Sequence, residues 1–146
     1  MNIQKLKEAE ASFLALYPGG FADPGIRAVR AKHNVDRLIL YTADALTRAN
    51  CHKPNCVAES LLKIVSRSSM VSRFEKPRFR DFIESLGSYE KEALAYAIEQ
   101  RLYGRKQRGF ELLHGMLAQH HIAKWAVISC VPFYFAPRRE VFVKPM

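Results

Sequence analysis

The stretch Pro77-Arg78-Phe79-Arg80-Asp81-Phe82-Ile83-Glu84-Ser85-Leu86-Gly87-Ser88 decides the fold class. Phe79, Phe82, Ile83 and Leu86 stand at i, i+3, i+4 and i+7, the spacing of one helical stripe and not of an alternating strand. Pro77 is placed to open that helix, Gly87 to follow its end and Ser88 to cap the next.

Outward from this stretch the same period recurs. Toward the C-terminus, Leu94, Ile98 and Leu102 form an apolar line that Gly104 ends. Phe110, Leu113, Leu117 and His120 then mark a last helix, in which Gly109 and Gly115 each cost ~1 kcal/mol relative to Ala. Toward the N-terminus, Val57, Ala58, Leu61, Leu62 and Val65 form another stripe behind a loop over residues 49–55. Ile26, Val29, Val35, Leu38, Thr42, Ala45 and Leu46 continue it, with Asn34 as a candidate break. Asp23-Pro24 reads as an N-cap and first helical residue, and Pro18-Gly19-Gly20 as the stop of a helix over residues 3–17.

The tail changes character. Residues 125–135 are β-branched and aromatic, and residues 140–144 alternate. They predict two short strands or an extended arm. An isolated hairpin is marginal in water, so such an arm must pack on the helices or on a partner. The expected fold is mainly α: a single-domain helical bundle over residues 1–146 with a short extended or β element at the C-terminus.

With 49% apolar residues in a chain of 146, intrinsic disorder is excluded and one ordinary core is expected. Three cysteines, an odd number, fit a reducing compartment better than a disulfide scaffold. Lys5, Lys7, Glu8 and Glu10 and the short apolar run behind them do not make a signal peptide. The uncharged run between Lys124 and Arg138 falls short of the ~20 residues a spanning helix needs and contains Pro132 and Pro137. The cytoplasm is the expected location, with no membrane partner.

The segments SRSSMVSRFEKPRFRDF (66–82), YPGGF (17–21) and VFVKP (141–145) together resemble a family of uncharacterised bacterial cytosolic proteins. The resemblance implies a bacterial, cytosolic protein and brings no activity, cofactor or catalytic residue. In that family the pattern runs on past the Lys-Pro, so a role seated there is not carried over.

The net charge is +9, and it is unevenly spread. Lys63, Arg67, Arg73, Lys76, Arg78 and Arg80 stand against one acid, Glu75. Arg101, Arg105, Lys106 and Arg108 stand against none, and Arg27, Arg30, Lys32 and Arg37 against Asp36. Such fields attract polyanions, and Arg suits bidentate phosphate contacts. The expected polyanion-binding residues are Arg67, Arg73, Lys76, Arg78, Arg80, Arg101, Arg105, Lys106 and Arg108. The partner would be nucleic acid or an acidic protein. Phe74, Phe79 and Phe82 interleave with the first cluster and could stack on bases, although helical spacing favours the core.

Other chemistry reads as structure. Cys51-His52-Lys53-Pro54-Asn55-Cys56 offers one pair of thiols at x₄ spacing. A structural zinc site usually has two knuckles, and this one would have to borrow His114, His120 or His121. The segment is therefore expected to be a helix–helix turn with two partly buried thiols. His120-His121 reads as one surface and one buried imidazole. Ser66, Ser68, Ser69 and Ser72 lack a GxSxG elbow and suit caps and packing. Of the two carboxylate pairs, Glu90 with Glu92 suits a first helical turn, and neither that pair nor Asp81 with Glu84 points to catalysis. No GxGxxG, GxxxxGK[ST] or HExxH occurs, so no cofactor, metal or catalytic residue is expected. Two alternatives to a polyanion-binding module stand. One is a protein-interaction or homo-oligomerisation module using Trp125, Phe133, Tyr134, Phe135 and Phe142, since aromatics are enriched at interfaces. The other is an enzyme of unknown type.

Overall fold

Local capping signals shape the first part of the chain. A computed structural model describes residues 2–144, so Pro145 of the VFVKP segment lies outside the described residues. Helix α1 (Ile3–Leu16) begins where the Asn2 side chain accepts the Lys5 N–H at 3.0 Å. After a single 3₁₀ turn, α2 (Pro24–Lys32) starts at Asp23 with Pro24 as its first residue. Both Asp23 carboxylate oxygens accept backbone N–H groups, one from Gly19 at 2.9 Å and one from Gly25 at 2.8 Å. Those two bonds hold the carboxyl below its ordinary range. Asn34 ends α2 in the left-handed region at φ 53°, a conformation Asn tolerates.

The chain forms two units that divide between Asp36 and Arg37. No residue of α1 or α2 is buried. Their apolar contacts are a small cluster in which Phe13 meets Tyr17 and Phe21 at ring-centroid distances of 5.4 and 5.1 Å.

The second unit has a true core. It contains most of α3 (Val35–Ala45), then α4 (Pro54–Arg67), α5 (Glu75–Glu84), α6 (Ser88–Tyr103), α7 (Lys106–Gln119) and α8 (Trp125–Phe135). Leu61 and Ile64 of α4, Phe82 of α5, Leu94 and Ile98 of α6, Leu117 of α7 and Tyr134 of α8 are essentially solvent-free. The Phe79, Phe82, Ile83 and Leu86 stripe is buried as its spacing predicts. Among the described residues there are eight α-helices and no strand.

Helices α6 and α7 form an antiparallel hairpin turned at Gly104-Arg105, and Gly109 sits at its seam. A Cβ on Gly109 would lie 2.2 Å from the Arg101 backbone nitrogen. Only a glycine lets the two backbones approach this closely, so the apparent flaw in the α7 sequence is a packing requirement. At Gly115 a Cβ would meet nothing within 4 Å.

Three local expectations are corrected. Helix α5 starts at Glu75, two residues before Pro77. The Ser72 hydroxyl and carbonyl accept the Glu75 N–H and thereby begin the turn. Pro77, in that first turn, gives up only an N–H with no partner inside the helix. Gly87 is the N-cap of α6 and Ser88 its first residue, one step from the expected roles. The Glu90 carboxylate accepts the Gly87 N–H at 3.4 Å.

The largest correction is residues 125–135, expected to be extended. They form α8, and α7 is not the last helix. Ala126, Val127, Ile128, Cys130, Val131, Pro132 and Tyr134 are all buried, so α8 is apolar nearly all round. Apart from the one bond lost at Pro132, a buried helix satisfies its own backbone hydrogen bonds, and this overrides the β-branched and aromatic propensity. The Tyr134 hydroxyl pairs with the buried Ser68 hydroxyl at 2.9 Å. Beyond α8, residues 140–144 are neither helix nor strand. They pack back on α8: the Val143 N–H donates to the Ser129 hydroxyl at 2.9 Å, and Phe142 meets Phe133 edge-on.

Candidate functional site

Two surfaces and three clefts of the second unit carry chemistry. The first surface follows the end of α4, the connection to α5 and α5 itself. Lys63 and Arg67, one turn apart, lie over the Tyr41 ring at 5.4 and 5.9 Å from its centroid. In the connection, Arg73 lies over the Phe74 ring at 5.1 Å, and Phe74 is 72% exposed. Arg78 and Arg80 stand exposed on α5 and Lys76 is half-buried. Among the described residues none of these six bases has a carboxylate within 4.0 Å. None of the six is drawn into an ion pair, although α5 also carries Glu75, Asp81 and Glu84, and two of the guanidinium groups lie over aromatic rings, an arrangement that suits phosphates and bases together.

The three phenylalanines therefore part company. Phe79 and Phe82 belong to the core, as their spacing predicts, while Phe74 does not. A sign was present in the sequence: Phe74 lies five residues before Phe79, on the opposite side of a 3.6-residue helix.

The second surface is smaller than its sequence. Arg101 donates to both carboxylate oxygens of Glu140, at 3.0 and 2.8 Å, and the two side chains are only 15% and 18% exposed. Lys106 Nζ adds to the same carboxylate at 3.7 Å. The Arg101 hydrogen bonds, foremost among these contacts, hold the Glu140 carboxyl below its ordinary range. Arg101 is thus a structural tie for the tail, while Arg105 and Arg108 remain exposed and without an ion pair among the described residues.

The first cleft, about 350 Å³, lies between α5 and the end of α7 and is lined by Arg78, Asp81, Phe82, Ser85, His120 and His121. His120 meets Phe82 edge-on at 4.9 Å, yet both histidines are exposed, against the expectation of one buried imidazole. His121 occupies the left-handed position after α7 at φ 58°. Its N–H bonds the Ala118 carbonyl and the next N–H, of Ile122, bonds the Leu117 carbonyl, which is a Schellman closure.

The second cleft, about 200 Å³, is lined by Cys51, His52, Pro54, Glu92, Ala95, Tyr96 and Glu99. His52 Nε2 lies 3.4 Å from the Glu99 carboxylate, and Arg48 lies 3.9 Å from it. The same cleft thus holds a thiol, an imidazole and a carboxylate, but the thiol is in the wrong state for catalysis. Burial, with help from the Glu99 charge, pushes Cys51 up to about 11, so it stays protonated at neutral pH and is a poor nucleophile. Cys130 is pushed up to about 12 by burial inside α8. The three cysteines are free, Cys51 being buried and Cys56 half-buried beside the helix–helix turn. Among the described residues no three His, Cys, Asp or Glu side chains are grouped to hold a metal ion.

The third cleft, about 330 Å³, is lined by Phe110, His114, Ala123, Trp125 and Ile128. Sequence reasoning missed it, because Trp125 was read with the tail and Phe110 with the core. Of the five tail aromatics expected at an interface, only Trp125 is strongly exposed, at 55%. Tyr134 is buried, and Phe135 meets Tyr103 edge-on inside the unit. No family model, no curated protein and no solved structure matches this chain.

Proposed function

We propose that this chain is a basic binding module that contacts nucleic acid through the surface built from Lys63, Arg67, Arg73, Lys76, Arg78 and Arg80, with Arg105 and Arg108 as a second contact. The observation that carries this reading is the Arg73–Phe74 pair. A phenylalanine left 72% exposed beneath a guanidinium, within a run of six bases that make no ion pair among the described residues, offers a ring face and positive charge together to a stacked, phosphate-bearing partner. Arg101 leaves the set because its hydrogen bonds go to Glu140. An acidic protein is the other partner such a surface fits, and it would bind without preference for bases over bare polyanion.

The reading sets the protein in a reducing cytoplasm. The three free thiols, the absence of any helix among the described residues long and apolar enough to cross a membrane, and the resemblance of residues 66–82 to bacterial cytosolic proteins support that placement. The test is affinity for short DNA and RNA strands as a function of salt. Affinity should fall steeply, with a log–log slope of about −0.7 to −0.9 per phosphate contacted. Replacing Arg73 and Phe74 together by alanine should weaken binding by about tenfold or more. A response flat in salt, or no retention on heparin at low salt, would overturn the proposal.

A further inference from the structure

Five of the seven ring pairs among the described residues of the second unit meet edge-on or tilted. Examples are Tyr103 with Phe135 at 71°, Phe133 with Phe142 at 87° and Phe82 with His120 at 68°. Two pairs among the described residues are near-parallel, and both share Phe110. Phe110 and His114, one turn apart on α7, have centroids 6.0 Å apart and planes 23° apart. Phe110 and Trp125, the first residue of α8, have centroids 6.4 Å apart and planes 24° apart. The three rings, His114 and Trp125 each near-parallel to Phe110, form a row that lines a cleft of about 330 Å³ with Ala123 and Ile128. His114 and Trp125 are exposed.

We propose that this row is a stacking site for an unpaired nucleobase, so that the nucleic acid this module takes is single-stranded. The proposal rests on the reading given under Proposed function and specifies its substrate. Parallel rings offer the geometry on which flat bases stack, and every base has a face to offer. In a duplex, by contrast, those faces are already covered by neighbouring pairs.

The surrounding charge decides between occupants. Lys124 immediately precedes Trp125 and is exposed, and Arg105 and Arg108 stand exposed at the start of α7, while Lys106 pairs with Glu140. The nearest acid in sequence, Glu111, accepts a hydrogen bond from Gln107 at 3.1 Å. A basic rim repels the organic cation that an aromatic cage would hold. A second copy of the chain would bring the same bases face to face. An apolar side chain of a protein partner has no use for the rim. A ring attached to a phosphate backbone uses both the rings and the bases.

Trp125 is the only tryptophan of the chain, so its emission reports on this cleft alone. The experiment titrates the full chain with oligothymidylate, with heparin and with a duplex of equal length, following Trp emission and the anisotropy of labelled ligand together. Oligothymidylate should quench Trp125 along the same curve that anisotropy traces. Heparin, which has no bases, should bind without quenching, and duplex likewise. Trp125→Ala should weaken oligothymidylate about tenfold and leave heparin binding unchanged, while Trp125→Phe restores most of the affinity. Oligothymidylate bound with unchanged emission, equal quenching by duplex, or full affinity in Trp125→Ala each overturns the stacking site while leaving a basic module standing. If neither oligothymidylate nor heparin binds, the module reading falls and the stacking site falls with it.

Discussion

Residues 3–32 and residues 54–135 are both largely helical, and they are helical for opposite reasons. In the first stretch the ends do the holding: Asn2 and Asp23 cap the two helices, and no residue of either helix is buried. In the second stretch the ends are poorly dressed, since α4, α7 and α8 have no side-chain cap, and burial does the holding. Helices are marginal alone in water, and tertiary packing normally supplies their stability. The two stretches should therefore respond to mutation on different scales.

The largest expected effect is at the α6–α7 seam. Gly109→Ala places a methyl 2.2 Å from the Arg101 nitrogen, which forces the helices apart. Overpacking of this kind costs about 3 kcal/mol, read as a lower midpoint in urea unfolding of the full chain. Gly115→Ala, six residues along the same helix, meets nothing and should gain about 1 kcal/mol from propensity alone. If the two variants shift stability alike, the α6–α7 seam is not a glycine-dependent close approach.

These two glycines also mark how far the sequence can be read. Both lie in an obvious helix, and nothing in the residue letters separates the one that enables a close crossing from the one that merely weakens α7. The α5 stripe of Phe79, Phe82, Ile83 and Leu86 was legible because one face of one helix carries it. Helix α8 was not, because a helix buried all round has no polar face to give it a period, and its branched and aromatic residues mimic a strand. The site divides in the same way. The bases of residues 63–80 could be counted directly. The withdrawal of Arg101 to Glu140 depends on a partner 39 residues away, and the meeting of Phe110 with Trp125 depends on how α7 turns into α8.

Residues 140–144 belong to the second unit but are held by polar contacts, and so behave like the first stretch. Glu140 is the tie. Its carboxyl is held below the ordinary value chiefly by the Arg101 hydrogen bonds. A depressed carboxyl adds stability that is complete above its unfolded value of about 4.3 and lost as pH falls through the folded one. Acid should therefore loosen this segment before it melts the core. The expected observation is faster exchange of the Val143 N–H, bonded to Ser129, as pH is lowered through that window, after correction for intrinsic rates. Glu140→Gln should remove the pH dependence and loosen the segment at neutral pH, at a cost of about 1–2 kcal/mol. Unchanged protection in that variant would mean that the Phe133–Phe142 contact alone holds the segment.

The smallest effect is expected in the aromatic cluster of the first unit. Phe13 touches both Tyr17 and Phe21, and in a packed core its truncation to alanine would cost about 3–5 kcal/mol. Here Phe13 is only half-buried, its partner Phe21 is 79% exposed and no residue of α1 or α2 is buried, so the cluster is not part of a closed core. Phe13→Ala should leave the main unfolding transition of the chain within about 0.5 kcal/mol of its original position. Its effect should instead be local: amides of residues 5–16, exchanging by opening of α1 alone, should lose much of whatever protection they have, while those of α6 keep theirs. A loss of 2 kcal/mol or more in the main transition would show that this ring is part of a cooperative core. The two stretches would then be helical for the same reason after all.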